Sequence, residues 1–210
     1  MNEAKRQAGE TVAALLSYRN FVWAVIGQFF YIGAQIGSWS YFIDFTRELS
    51  PQTAERAGAF MLSASLAGFM IGRFVGTFIM GFIEPRRLLL IYAGINMVLV
   101  GTAITASGMV AIIALASTSF FMSIMFPTNY ALGLENLGEH AEIGSSVIIM
   151  SIISGAFIPP AIGFLADASS VQWAYIIPLL CYAMVLLSTW IGGNARRSLP
   201  LCVSGTESVQ

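Results

Sequence analysis

FVWAVIGQFFYIGAQIGSWSYFIDF, residues 21–45, decides the fold. It carries one charge, Asp44, close to its end. A helix crosses a bilayer with about 20 mostly apolar residues, so the stretch reads as a transmembrane helix. Five more stretches of that kind follow, at 58–83, 88–107, 109–134, 144–166 and 172–193. They are continuous rather than alternating, and about twice the length of a barrel strand. The fold class is therefore all-α, a polytopic membrane protein with six transmembrane helices.

Composition agrees. Of 210 residues, 57% are hydrophobic and 10% charged, against about 25% charged in a soluble domain. So few charges exclude a soluble globule, a disordered chain and a coiled coil. Two Cys exclude a disulfide framework. A net charge of −1 leaves no basic excess for nucleic acid. Residues 1–20 are polar and of mixed charge, and do not read as a signal peptide.

Three segments are expected: a cytoplasmic N-terminal segment at 1–19, a six-helix membrane domain at 20–193 and a cytoplasmic tail at 194–210. Lys5, Arg6, Arg19, Arg86, Arg87, Arg196 and Arg197 lie on one side, and Arg47 and Arg56 on the other. The positive-inside rule then places both termini in the cytoplasm. Gly108 alone separates spans three and four and predicts a tight turn. Gly68, Gly72 and Gly76 stripe one face of span two, and Gly33 and Gly37 one face of span one. Small residues at that spacing let helices approach closely in lipid.

At about 100° per residue, Gln28, Tyr31, Gln35, Ser38, Trp39 and Phe42 share one face of span one, opposite Gly33 and Gly37. Amides and a hydroxyl beside flat rings suit sugar hydroxyls and C–H faces. In the competing reading the two Gln bond to neighbouring helices, and Trp39 and Tyr41 anchor at the interface. Span four is interrupted at Phe126-Pro127-Thr128-Asn129-Tyr130. Pro127 removes a backbone donor and kinks the helix, and Asn129 follows it. Interrupted spans line the sites of secondary transporters; a kink held by an interhelical Asn is the alternative, and Asn96 reads that way. Arg73 is the only charge deep in a span, and no carboxylate matches its depth. It pairs with backbone carbonyls, reaches Glu84 or Glu135, or faces water, in a structural or conformational role. No Asp, Glu or His lies mid-span. No catalytic set, metal pair or phosphate loop is present, so neither enzyme, metal nor cofactor is expected.

Gln28-Phe-Phe-Tyr-Ile-Gly-Ala-Gln-Ile-Gly-Ser-Trp-Ser-Tyr41 resembles the seventh helix of the fucose permease family, sugar–proton symporters of the major facilitator superfamily. Ile71-Gly-Arg-Phe-Val-Gly-Thr77 resembles the eighth. Phe121-Met-Ser-Ile-Met-Phe-Pro-Thr128 and Leu132-Gly-Leu-Glu-Asn-Leu-Gly138 resemble the tenth. Gly144-Ser-Ser-Val-Ile-Ile-Met150 and Gly163-Phe-Leu-Ala-Asp167 resemble the eleventh. The resemblance covers about residues 18–193. It implies the C-terminal half of a twelve-helix carrier in the cell inner membrane, with the sugar site between the halves and the proton-coupling carboxylates in the other half. The partners implied are the bilayer, a fucose-, glucose- or galactose-like monosaccharide, and a complementary N-terminal six-helix half. Gln28 and Gln35 become sugar-facing amides, opposite Phe126-Pro127. The family tends to have Gln-Tyr before that proline. Met125-Phe126 here removes hydrogen-bonding capacity, which points to a sugar other than fucose. The alternative is a truncated chain or membrane interaction module that transports nothing by itself.

Overall fold

The computed structural model describes residues 15–50, 55–135 and 137–197. Among them there is no strand, and the fold is all-α as expected. The α-helices are α1 (Arg19–Ser40), α2 (Phe42–Leu49), α3 (Glu55–Ile79), α4 (Pro85–Thr105), α5 (Met109–Met122), α6 (Met125–Leu134), α7 (Ala141–Met150), α8 (Ser154–Ala168), α9 (Val171–Ala174) and α10 (Ile176–Arg197). They supply six helical segments long and apolar enough to cross a membrane: Arg19–Ser40, Arg56–Ile79, Pro85–Thr105, Met109–Leu134, Gly138–Ala168 and Val171–Gly193.

Three boundaries depart from the sequence reading. The first stretch is two helices, because the chain bends at Tyr41 and α2 packs Phe42 and Phe45 inward. Span four is interrupted at Ser123-Ile124, one turn before Pro127. Proline disturbs the carbonyl four residues earlier and is itself tolerated in a first helical turn. Span five starts earlier than 144, because a 3₁₀ turn, Gly138–His140, leads directly into α7 at Ala141. Of the expected terminal segments, residues 1–14 and 198–210 lie outside the described residues, and α10 runs past 193 to Arg197.

Span one lies centrally, packed against α10, α6 and α8; α4 packs on α5 and α10, and α3 on α5. Glycines make the closest approaches. Gly33 and Gly37 lie against the Ile158 and Ile162 side chains of α8, as their opposite-face placement requires. Gly72 lies against the Phe120 carbonyl and Gly76 against Ile124, whereas Gly68 has open space above it. Gly108 turns span three into span four at φ 63° and ψ −141°. The loop is Ala106, Ser107 and Gly108 rather than Gly108 alone, because α4 ends at Thr105; a Cβ is disfavoured at the Gly108 conformation, which closes the turn.

At the Tyr41 end, Phe45 meets Tyr175 edge-on at 4.8 Å. The Tyr175 hydroxyl donates to the Ser38 carbonyl at 2.9 Å. Gln172 Nε2 donates to the Ala103 and Ala106 carbonyls at 3.0 and 2.6 Å, satisfying acceptors that the end of α4 exposes. Burial is uneven. Spans two and five are 17% and 22% buried, against 44–56% for the other four. Phe60, Phe74, Phe78, Phe157 and Phe164 are exposed on those two spans. Their bare faces flank the helices that carry the candidate site.

Candidate functional site

The site grows from the broken span. Pro127 has no amide hydrogen, so the Ser123 carbonyl, four residues earlier, loses its helical donor. An unsatisfied carbonyl in an apolar medium is costly, and side chains take the donor's place. The Tyr31 hydroxyl donates to the Met122 carbonyl at 2.7 Å. Arg73 Nε and Nη2 both donate to the Ser123 carbonyl at 3.3 Å. Of the partners expected for Arg73, the structure shows the backbone carbonyl. Its guanidinium also sits 5.3 Å over the Phe69 ring.

One turn further along α6, Asn129 Nδ2 donates to Gln28 Oε1 at 2.8 Å and to the Ala24 carbonyl at 2.9 Å. Gln28 is fully buried and its Nε2 has no partner. Phe126 stacks on Tyr130 at 6.5 Å and meets Tyr31 at 6.4 Å and 60°. Gln28, Tyr31, Phe126 and Asn129 therefore come together around Pro127. The Gln28 carbonyl oxygen is engaged by a neighbouring helix, while its amide N–H groups keep their donating capacity.

Trp39 is not in that group. Its Nε1 donates to Ser119 Oγ at 3.1 Å, and its ring lies edge-on to Phe69 at 5.2 Å. Ser65 Oγ donates to the same Ser119 oxygen at 2.6 Å. Gln35 lies between the two groups, half-buried and with no side-chain hydrogen bond among the described residues. Gly72 and Gly76 seat α3 against the break; Gly68 does not take part. Asn96 is buried in α4 and donates across helices to Met125 Sδ at 3.3 Å.

Sequence reasoning left out Ser65, Phe69 and Ser119, whose side chains carry no signal until span two is placed beside span four. It also left out a small pocket of about 20 Å³ bordered by Asn20, Arg86, Asn129, Glu135 and Thr189. There Asn20 Nδ2 donates to the Leu132 carbonyl at 2.9 Å, and Arg86 Nε donates to the Thr189 carbonyl at 3.1 Å. The Arg86 side chain lies directly on Gly193, so the Gly192-Gly193 pair was a usable clue. Among the described residues no cluster of His, Cys, Asp and Glu could hold a metal ion.

No family model matches the chain. It is 39% identical over 178 residues to the L-fucose-proton symporter of Escherichia coli, covering 84% of this chain and 41% of the relative. It is 36% identical over 181 residues to a putative glucose/galactose transporter of Helicobacter pylori, covering 84% and 44%. It is 32% identical over 181 residues to a glucose/galactose transporter of Brucella abortus, covering 85% and 43%. The chain spans less than half the length of these curated relatives. Among solved structures, the E. coli fucose:proton symporter matches with a TM-score of 0.85 at 38% identity, over 87% of this chain and 45% of that one. A Major Facilitator Superfamily transporter, FucP, in the outward conformation matches with a TM-score of 0.86 at 37% identity, over 89% and 46%. These relatives are transporters, not enzymes.

Proposed function

We propose that this chain, which matches the C-terminal half of a fucose-permease-type carrier of the major facilitator superfamily, forms one wall of a sugar pathway. A complementary N-terminal six-helix half supplies the other wall and the titratable groups for proton coupling. The cargo is a monosaccharide of the fucose, glucose or galactose type. The carrier sits in the cell inner membrane with both termini cytoplasmic, as the Lys and Arg distribution favours.

The observation that carries this reading is the convergence at Pro127. Gln28 and Asn129 form a buried amide pair beside the Tyr31, Phe126 and Tyr130 rings, where span four is broken. A broken span beside amides and aromatic faces suits a polyhydroxylated ligand. Gln35, half-buried on the same face, is the outer sugar-facing amide, and Trp39 and Phe126 are the aromatic walls. Arg73, Pro127, Gly72 and Gly76 serve the conformation rather than the sugar, whereas Gly68, expected in that set, meets nothing within 4 Å. The test is sugar affinity in the assembled carrier: Gln28→Ala or Gln35→Ala is expected to weaken it. Unchanged affinity in both variants removes that face from the site.

The second reading is a partial chain with no transport of its own. It is favoured by the coverage of the relatives, 41% and 44% in two of them. Uptake by the chain paired with a complementary six-helix half separates the two: the first reading expects it and the second does not.

A further inference from the structure

Three features of α3 and span four meet at one point. Ser123 is the residue whose carbonyl Pro127 leaves without a backbone donor, and Arg73 directs two nitrogens at that oxygen, each at 3.3 Å. The glycines on either side of Arg73 on that helix face allow the approach. A Cβ on Gly72 would strike the Phe120 carbonyl oxygen, and one on Gly76 would lie 2.8 Å from Ile124 Cδ1. The guanidinium is also held from the side by the Phe69 ring, 5.3 Å from its centre, an arrangement that attracts a cation to the ring face.

We propose that Arg73 is a positioning residue for the broken fourth span: its guanidinium replaces the amide proton that Pro127 lacks. In doing so it fixes the joint between α5 and α6. That joint sets where Phe126 meets Tyr31 and where Asn129 meets Gln28. A carbonyl with no helical partner is otherwise free to drag the first turn of α6 out of register, because nothing else in an apolar medium would satisfy it. Arg suits the role better than Lys, since a planar fork offers two parallel donors to one oxygen without a loss of charge. The inference goes beyond the transport reading and holds for any ligand.

The test follows amide hydrogen exchange of residues 122–130 in the full chain, in lipid nanodiscs, with no sugar present. Residues 88–100 of span three serve as the internal reference. Arg73→Gln is expected to speed exchange at 122–130 by about three- to tenfold, the range for losing a charged hydrogen bond in a membrane protein. Pro127→Ala restores an N–H opposite the Ser123 carbonyl. In that background Arg73→Gln is expected to change exchange by less than about twofold. An equal increase in both backgrounds overturns the proposal, as does an increase of the same size at 88–100. Should Arg73→Gln fail to fold, Arg73→Lys is compared in the two backgrounds by the same criterion. Failure of sugar binding leaves this result untouched.

Discussion

Three glycines on one face of α3 should respond differently to the same substitution. At Gly68 a new Cβ meets nothing within 4 Å. Alanine there only adds helix propensity, a gain of about 1 kcal/mol. At Gly72 the Cβ meets the Phe120 carbonyl oxygen, a backbone atom of α5 that no rotamer change can move, and Ser123 Oγ at 2.7 Å. Overpacking costs about 1–3 kcal/mol, and a rigid backbone neighbour places this site at the upper end. After the propensity gain, Gly72→Ala is expected to lose about 2 kcal/mol. At Gly76 the obstacle is Ile124, with Cδ1 at 2.8 Å and Cβ at 3.1 Å. The side-chain end can yield, so the loss falls between the other two. The gap between Gly68→Ala and Gly72→Ala is then about 3 kcal/mol, or about 6–12 °C in midpoint for a chain of this size. Thermal unfolding of the three variants in detergent checks the order. Gly68→Ala and Gly72→Ala falling within about 1 kcal/mol of each other would refute the packing of α3 on span four.

Other sites give sharp expectations. Asn129→Leu removes the bonds to Ala24 and Gln28 and strands a buried acceptor, for a loss of about 1–3 kcal/mol. Adding Gln28→Leu should recover part of it, since both partners are then apolar; additive losses in unfolding experiments would show that the amides are not coupled. Tyr31→Phe frees the Met122 carbonyl at about 0.6–1.5 kcal/mol, read as a lowered unfolding midpoint. Gly108→Ala, at φ 63° and ψ −141°, should cost about 1–3 kcal/mol of backbone strain; an unchanged midpoint contradicts the turn.

Much of the architecture was legible because it follows from solvent alone. Length and apolarity mark six spans, and charges mark their ends. The turn at Gly108 needed only a residue tolerant of positive φ. The opposite faces of span one were legible from the helical period. Gly33 and Gly37 meet α8 while Gln28 meets Asn129. What was hidden depends on which helices become neighbours. The partner of Arg73 is a main-chain oxygen that carries no residue-type signal, although Pro127 identifies it once the i−4 rule is applied. Trp39 pairs with Ser119 only because α3 and α5 close around it. The Tyr41 bend has no Pro or Gly to announce it; it reflects the burial of Phe42 and Phe45, the latter against Tyr175.

The central claim is that this chain supplies half of a sugar carrier. Uptake of labelled fucose, glucose and galactose into a transport-null bacterium tests it most directly, with the chain expressed alone and together with a six-helix N-terminal half bearing mid-membrane carboxylates. No uptake is expected from the chain alone, and saturable uptake of at least one of the sugars from the pair, reduced by Gln35→Ala. Saturable uptake by the chain alone, or none from the pair when both halves are present in the membrane, would contradict it.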